Sequence, residues 1–140
     1  MHVSVMEELA ILRTIESKFI VELKLAFTQT GHLYMALEYL AGGDMFQYLA
    51  RPGVAFSELA ARFYAAELAV ALEYLHSQEI IFRDLKLENI LMDCEGAAEN
   101  EYTSHSIEDV CSVGHIKLTD FGLSFRTTGS ARAKSLVGDL

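Results

Sequence analysis

The sequence predicts an α+β fold in which a small β-rich part, residues 1–40, joins a larger helical part, residues 41–140. Three observations predict it. Val21, Leu23, Leu25 and Phe27 alternate with Glu22, Lys24 and Ala26; after "QTGH", a turn signal, the chain resumes with "LYMALEYL", so the two runs read as a hairpin. A long stretch from about Glu58 to Ser77 follows Ser57, a good N-cap, and reads as one helix. Two short aliphatic runs, Ile80-Ile81 and Ile90-Leu91, read as buried strands pinning both ends of a charged loop.

In order, "VSVMEELAILRTI" places Val5, Leu9, Leu12 and Ile15 at helical spacing and predicts an amphipathic helix, with Glu8 beside its apolar stripe. The hairpin follows. Gly42 and Gly43 end its second strand, and Asp44 is placed to cap a short helix. Pro52 and Gly53 mark a turn before the long helix, whose apolar positions include Leu59, Phe63, Val70 and Tyr74 and whose many alanines suit close packing. "HIKLTDFG" predicts a strand and a glycine turn. Residues 94–114 are acidic, polar and aperiodic, a loop that has no need of order, and the tail after Gly122 has no clear periodicity.

The 140 residues allow one domain or a piece of one, and a 51% hydrophobic content supplies ample core. No apolar run reaches the ~18 residues of a membrane span, and the N-terminus lacks the features of a signal peptide. The expectation is a soluble protein with a cytoplasmic, or else nuclear, location. A net charge of −9 argues against a nucleic-acid surface and suits a basic partner. Cys94 and Cys111 lack zinc spacing and read as free thiols.

The loop between the aliphatic runs, "FRDLKLEN", offers a carboxylate at Asp84, a lysine two residues on and an amide at Asn89. "TDFG" offers a second carboxylate, Asp120, before a glycine. Phosphoryl transfer from ATP needs positioning, a hard cation and a group that orients the acceptor hydroxyl. Mg²⁺ takes oxygen ligands and keeps waters, so one carboxylate and one amide suffice when phosphates complete its shell.

In this order, the two motifs resemble the protein-kinase catalytic loop and metal-binding D-F-G. "LYMALEYLAGGDMFQYL", "ALEYLHSQEIIFRDLK" and "HIKLTDFGLS" are similar to the AGC group of serine/threonine kinases, from about Val5 to Asp139 apart from the acidic insert. The resemblance implies a protein-kinase-like two-lobe fold and the use of ATP and Mg²⁺. It implies that Asp84 accepts a hydrogen bond from the substrate hydroxyl, that Lys86 meets the γ-phosphate, and that Asn89 and Asp120 hold magnesium. Glu8 would pair with an ATP-holding lysine, Arg83 with a phosphorylated activation loop. Leu37 would be the gatekeeper, Glu38 to Leu40 the hinge whose backbone binds adenine, Leu91 the floor under the base, and Thr119 a further residue at the nucleotide. Leu12, Leu23, Phe82 and Phe121 would stack as an apolar spine. Asp44 and Glu88 stand where the group recognises basic residues N-terminal to the acceptor. Ser135 stands at the site of phosphorylation by an upstream activating kinase.

Departures from the pattern are mild within the motifs: Phe82 stands for the usual His or Tyr, and Leu87 for a proline. The insert occupies a normally tight turn and is expected to loop out. The Gly-rich loop and its lysine would precede Glu8, and the substrate-binding helical lobe would follow Leu140. The chain is thus expected to be a kinase domain truncated at both ends, inactive by itself. Two rivals remain at this stage, a non-catalytic kinase fragment acting as a binding module and a small-molecule phosphotransferase of similar fold.

Overall fold

The computed structural model describes residues 3–93 and 114–127. Helix α1 (Val3–Leu12) leads to the antiparallel hairpin β1 (Leu23–Gln29) and β2 (His32–Leu37). The short β3 (Gly43–Asp44), α2 (Met45–Leu49) and the long α3 (Glu58–Ser77) follow. Then come β4 (Ile80–Ile81), a single 3₁₀ turn (Leu87–Asn89), β5 (Ile90–Met92), β6 (Ile116–Leu118) and β7 (Phe125–Arg126). The strands form three small antiparallel sheets, in orders β1-β2, β3-β5-β6 and β4-β7.

The caps act where their residue types predict. The Ser57 side chain accepts from the Ala60 N–H at 3.1 Å and starts α3 at Glu58. Asp44 Oδ1 accepts from the Gln47 N–H at 2.8 Å and starts α2. On α1 the predicted stripe faces inward: Leu9 and Leu12 are buried, Val5 and Ile15 half-buried, with Ile11 added to the core. Ile15 lies past the helix end, its N–H donating to the Ile11 carbonyl.

Two expectations need correction. The buried face of α3 is Ala60, Tyr64, Glu67, Ala71 and Leu75, one position on from the apolar residues Leu59, Phe63, Val70 and Tyr74. Leu59, Phe63 and Tyr74 pack partly against it, and Val70 is 48% exposed. Only Ala60 and Ala71 among its alanines are buried, because the apolar residues of α3 ring most of the helix and periodicity alone does not choose a face. On β1, the register shift between Leu23 and Leu25 interrupts the alternation, and Leu25 and Phe27 face outward, Phe27 stacked on Tyr34 with ring centroids 5.1 Å apart.

The core joins the two parts of the chain. Ile11, Leu12, Ile20 and Val21 share one cluster with Leu75, Ile80, Phe82, Ile116, Leu118 and Phe121. The segment before β1 is sewn to β6 by Val21 N–H to the Leu118 carbonyl and Leu118 N–H to the Phe19 carbonyl, both 2.9 Å. Glu16 N–H donates to the Tyr74 hydroxyl of α3 at 2.7 Å and ties the same segment to the helical part. No described helix is long and apolar enough to cross a membrane.

Candidate active site

The charged loop is held from both flanks. β4 pairs antiparallel with β7, Ile81 opposite Phe125, so the loop leaves Ile81 beside the residues that lead into Phe125. The Ser124 hydroxyl donates to the Phe82 carbonyl at 3.0 Å, and Arg83 Nε donates to the Leu123 carbonyl. The Arg83 guanidinium lies over the Phe125 ring, 4.4 Å from its centroid. These contacts hold Arg83 at φ +66°, and Asp120 sits at φ +62°. For a side chain other than glycine that conformation costs on the order of 1–3 kcal/mol, and it persists where surrounding structure over-determines it. Of the four described non-glycine residues at positive φ, two thus belong to this one site.

Asp84, Lys86 and Asn89 are brought into direct contact. Asp84 Oδ2 accepts from Lys86 Nζ at 2.7 Å and from Asn89 Nδ2 at 2.9 Å. Asn89 Nδ2 also donates to the Asp84 carbonyl at 3.0 Å, which locks the loop around its own aspartate. The Lys86 ammonium, followed by the Asn89 amide, holds the Asp84 carboxyl below the usual carboxylate range despite some desolvation; Asp84 in turn raises Lys86. Asp84 therefore stays ionised at neutral pH and acts as an acceptor. With its amide nitrogen engaged, Asn89 has its amide oxygen to offer a hard cation.

Asp120 follows β6, which pairs with β5, and the Thr119 N–H donates to the Asn89 carbonyl at 3.0 Å. This bond sets the second carboxylate beside the Asn89 strand. Asp120 is exposed, accepts from the Gly122 N–H at 3.1 Å, and lies within electrostatic reach of Lys86 and Glu8. Among the described residues no group of three His, Cys, Asp or Glu side chains converges as a metal cage. One carboxylate and one amide oxygen fit Mg²⁺ shared with phosphates, which keeps most of its shell for water and substrate oxygens.

Beneath the loop, Phe82 and Phe121 meet edge to face, centroids 5.2 Å apart and planes at 71°, both essentially buried. Leu12 is buried with them and Leu23 packs partly against the same cluster. Glu8 reaches the site from α1, accepting from the Phe121 N–H. Burial, and then repulsion from Asp120, pushes its carboxyl above the ordinary value. A raised folded-state value for an acid means that ionisation costs stability. The cost is absent below the unfolded value and grows as pH rises through the folded one. Glu8→Gln is therefore expected to stabilise this chain at pH 7 by less than about 1 kcal/mol, since the group is partly solvated. Urea unfolding at pH 7 and pH 4 checks this, and the gain should shrink at the lower pH.

The remaining residues lie nearby in the fold. Leu40 is buried, and its carbonyl accepts from the Gly43 N–H. Leu91, half-buried in β5, lies between Asp44 on β3 and Lys117 on β6. Glu88 is exposed on the 3₁₀ turn, against which α2 packs, so Asp44 and Glu88 lie on neighbouring elements. Asp44 already caps α2 with one carboxylate oxygen. Glu38 is bound by Lys117 Nζ and the Glu22 N–H, each 2.7 Å from Oε1. Ser135 and most of the acidic insert lie outside the described residues.

Two partners escape sequence reasoning. Lys117 is a polar residue between buried Ile116 and Leu118, and its contact with Glu38 spans 79 positions. Glu67, buried on α3, accepts from the Ile116 N–H at 3.0 Å and contacts His115 Nδ1, fastening α3 to β6. The available signal was an acid at helical spacing from Ala60, Tyr64 and Ala71.

Comparison with known proteins adds an independent finding. The protein kinase domain family matches residues 1–140. Ribosomal protein S6 kinase beta of Caenorhabditis elegans is 47% identical over 113 residues, covering 81% of this chain and 17% of that protein. The cAMP-dependent protein kinase catalytic subunit of Dictyostelium discoideum is 44% identical over 119 residues, 85% of this chain and 15% of that protein. Human ribosomal protein S6 kinase alpha-2 is 47% identical over 114 residues, 81% of this chain and 13% of that protein. The chain thus spans 13 to 17% of the length of these relatives.

Proposed function

This chain belongs to the protein kinase domain family, and from that premise we propose that it supplies the catalytic loop and metal strand of a serine/threonine kinase that phosphorylates protein substrates. The observation that carries the reading is the joint engagement of Asp84 by Lys86 and Asn89, beside the strand bearing Asp120. Bound Mg–ATP supplies the phosphoryl group and the charge shielding for its transfer. Asn89 and Asp120 would hold the metal. Asp84, kept ionised by Lys86, accepts a hydrogen bond from the acceptor hydroxyl and aims its oxygen. Lys86 stands ready to exchange its bond with Asp84 for one to a phosphate oxygen. Glu38 to Leu40, Leu91 and Thr119 frame the adenine end, and Arg83 and Ser135 serve regulation through an upstream kinase.

The substrate class follows from charge. Asp44 and Glu88 on adjacent elements, in a chain of net charge −9, favour arginine N-terminal to the acceptor. Each exposed pair is worth ~0–1 kcal/mol, so each arginine should improve peptide use by up to about five-fold. A peptide library on the full-length gene product reads this directly, and preference for acidic flanks would contradict it.

The test of the function is γ-phosphate transfer from labelled ATP to a basic serine peptide by the full-length gene product. Transfer is expected to need Mg²⁺ and Asp84. Phosphorylation of aminoglycosides or choline in place of peptides would move the reading to a small-molecule phosphotransferase.

A further inference from the structure

We propose that Lys117 latches the hinge through Glu38 and so acts as a positioning residue for the adenine end of the nucleotide. The proposal rests on the kinase reading above. It starts from an ion pair in which both side chains are largely withdrawn from water: Lys117 is 18% and Glu38 17% exposed, with Nζ 2.7 Å from Oε1. No other ion pair among the described residues has both partners so covered.

The pair sits where three segments of the chain meet. Glu38 Oε1 also accepts from the Glu22 N–H, while the Glu38 N–H donates to the Glu22 carbonyl at 2.9 Å. Lys117 lies opposite Leu91 in the β5–β6 ladder and three residues before Asp120. The Lys117 ammonium thus ties the hinge to β6, whose backbone pairs with the strand that carries the floor under the base and which leads on to the metal carboxylate.

Apolar packing does little to fix this hinge. Tyr39 is 88% exposed and Leu37 is 37% exposed, and only Leu40 is buried. The side chain of Glu38 is therefore a principal anchor between hinge and β6. Burial pushes its carboxyl up, but the Lys117 and Glu22 contacts outweigh that, so Glu38 stays charged. Removing Lys117 leaves a carboxylate with little water and no cation in contact, with only Lys24, itself paired with Glu22, acting on it from further off. That carboxylate regains hydration by turning outward, and residues 38–40 move with it. Adenine then binds only the fraction of molecules whose hinge is in place, and apparent affinity falls by that fraction.

A latch and a general brace predict different things, because the two ends of the nucleotide contact different residues. The experiment uses the full-length gene product and calorimetric titration with adenosine, Mg–ADP and Mg–tripolyphosphate. Lys117→Met should weaken adenosine and Mg–ADP by about five- to ten-fold, the net scale of one ordinary intramolecular hydrogen bond. Mg–tripolyphosphate, which reports on Asn89 and Asp120, should change by less than about two-fold on the same scale. Lys117→Arg should restore most of the loss. Glu38→Gln, which keeps the hinge backbone and most of the side-chain volume, should reproduce it, and the double variant should be no worse than either single one. If Lys117→Met does not fold, the Glu38→Gln titrations decide the matter alone.

Adenosine affinity that is unchanged or tighter in these variants would overturn the latch while leaving the kinase reading intact. Equal loss of adenosine and Mg–tripolyphosphate would overturn it too, since that pattern reports general loosening. A wild-type protein that binds none of the three probes would overturn the kinase reading itself, and the latch with it.

Discussion

Asp84→Asn is expected to reduce phosphoryl transfer by about 10²- to 10⁴-fold while leaving Mg–ADP affinity nearly unchanged. The substitution keeps shape and one acceptor oxygen, but it removes the charge that holds Lys86 and that receives the acceptor hydroxyl. Asn89 keeps its bond to the Asp84 backbone carbonyl and accepts from the Thr119 N–H in the variant, and an amide oxygen at position 84 can still accept from Asn89 Nδ2, so the metal end should survive. Asp120→Asn should behave differently, losing Mg–ADP affinity together with turnover, because its carboxylate is the one charged oxygen ligand proposed for the metal. Titration of both variants with Mg–ADP, beside single-turnover assays, separates the roles. Equal loss of nucleotide affinity in the two would show that the division between acceptor-orienting and metal-holding groups is wrong.

Phe121→Ala is expected to cost about 3–5 kcal/mol of stability. The ring is fully buried, packs edge to face on Phe82, and belongs to the cluster that contains residues from α1, the pre-β1 segment, α3 and β6. Since domains are stable by only ~5–15 kcal/mol, this loss is a large fraction of the total. Phe121→Leu should lose much less. Urea denaturation of the three proteins checks the order, and a loss under about 1 kcal/mol for Phe121→Ala would mean that the ring is not part of the principal core.

How much of this was legible in the sequence depends on how local the cause is. The Ser57 cap and the apolar positions that follow placed α3 at Glu58–Ser77, as found, because a side chain that bonds three residues ahead writes its effect nearby. The same holds for Asp44 and α2, and for the aliphatic pairs that became β4 and the start of β5. Asp84, Lys86 and Asn89 lie within six residues, so their contacts follow from one loop. The buried face of α3 was not legible because apolar residues surround the helix and only a tertiary partner selects which of them is buried. β7 was missed in a polar tail because two residues carry no periodicity; Phe125 and Arg126 become a strand only by pairing with Ile81 and Ile80. The Glu38–Lys117 and Glu67–His115 contacts were invisible for the same reason, since each joins residues that the chain alone holds far apart.

Transfer of labelled γ-phosphate to an arginine-containing serine peptide by the full-length gene product, run beside its Asp84→Asn variant, tests the central claim most directly. The site described here predicts Mg²⁺-dependent transfer by the wild type and a loss of at least about 10²-fold in the variant. Absence of transfer by the wild type, or transfer that persists undiminished without the Asp84 carboxylate, would contradict it.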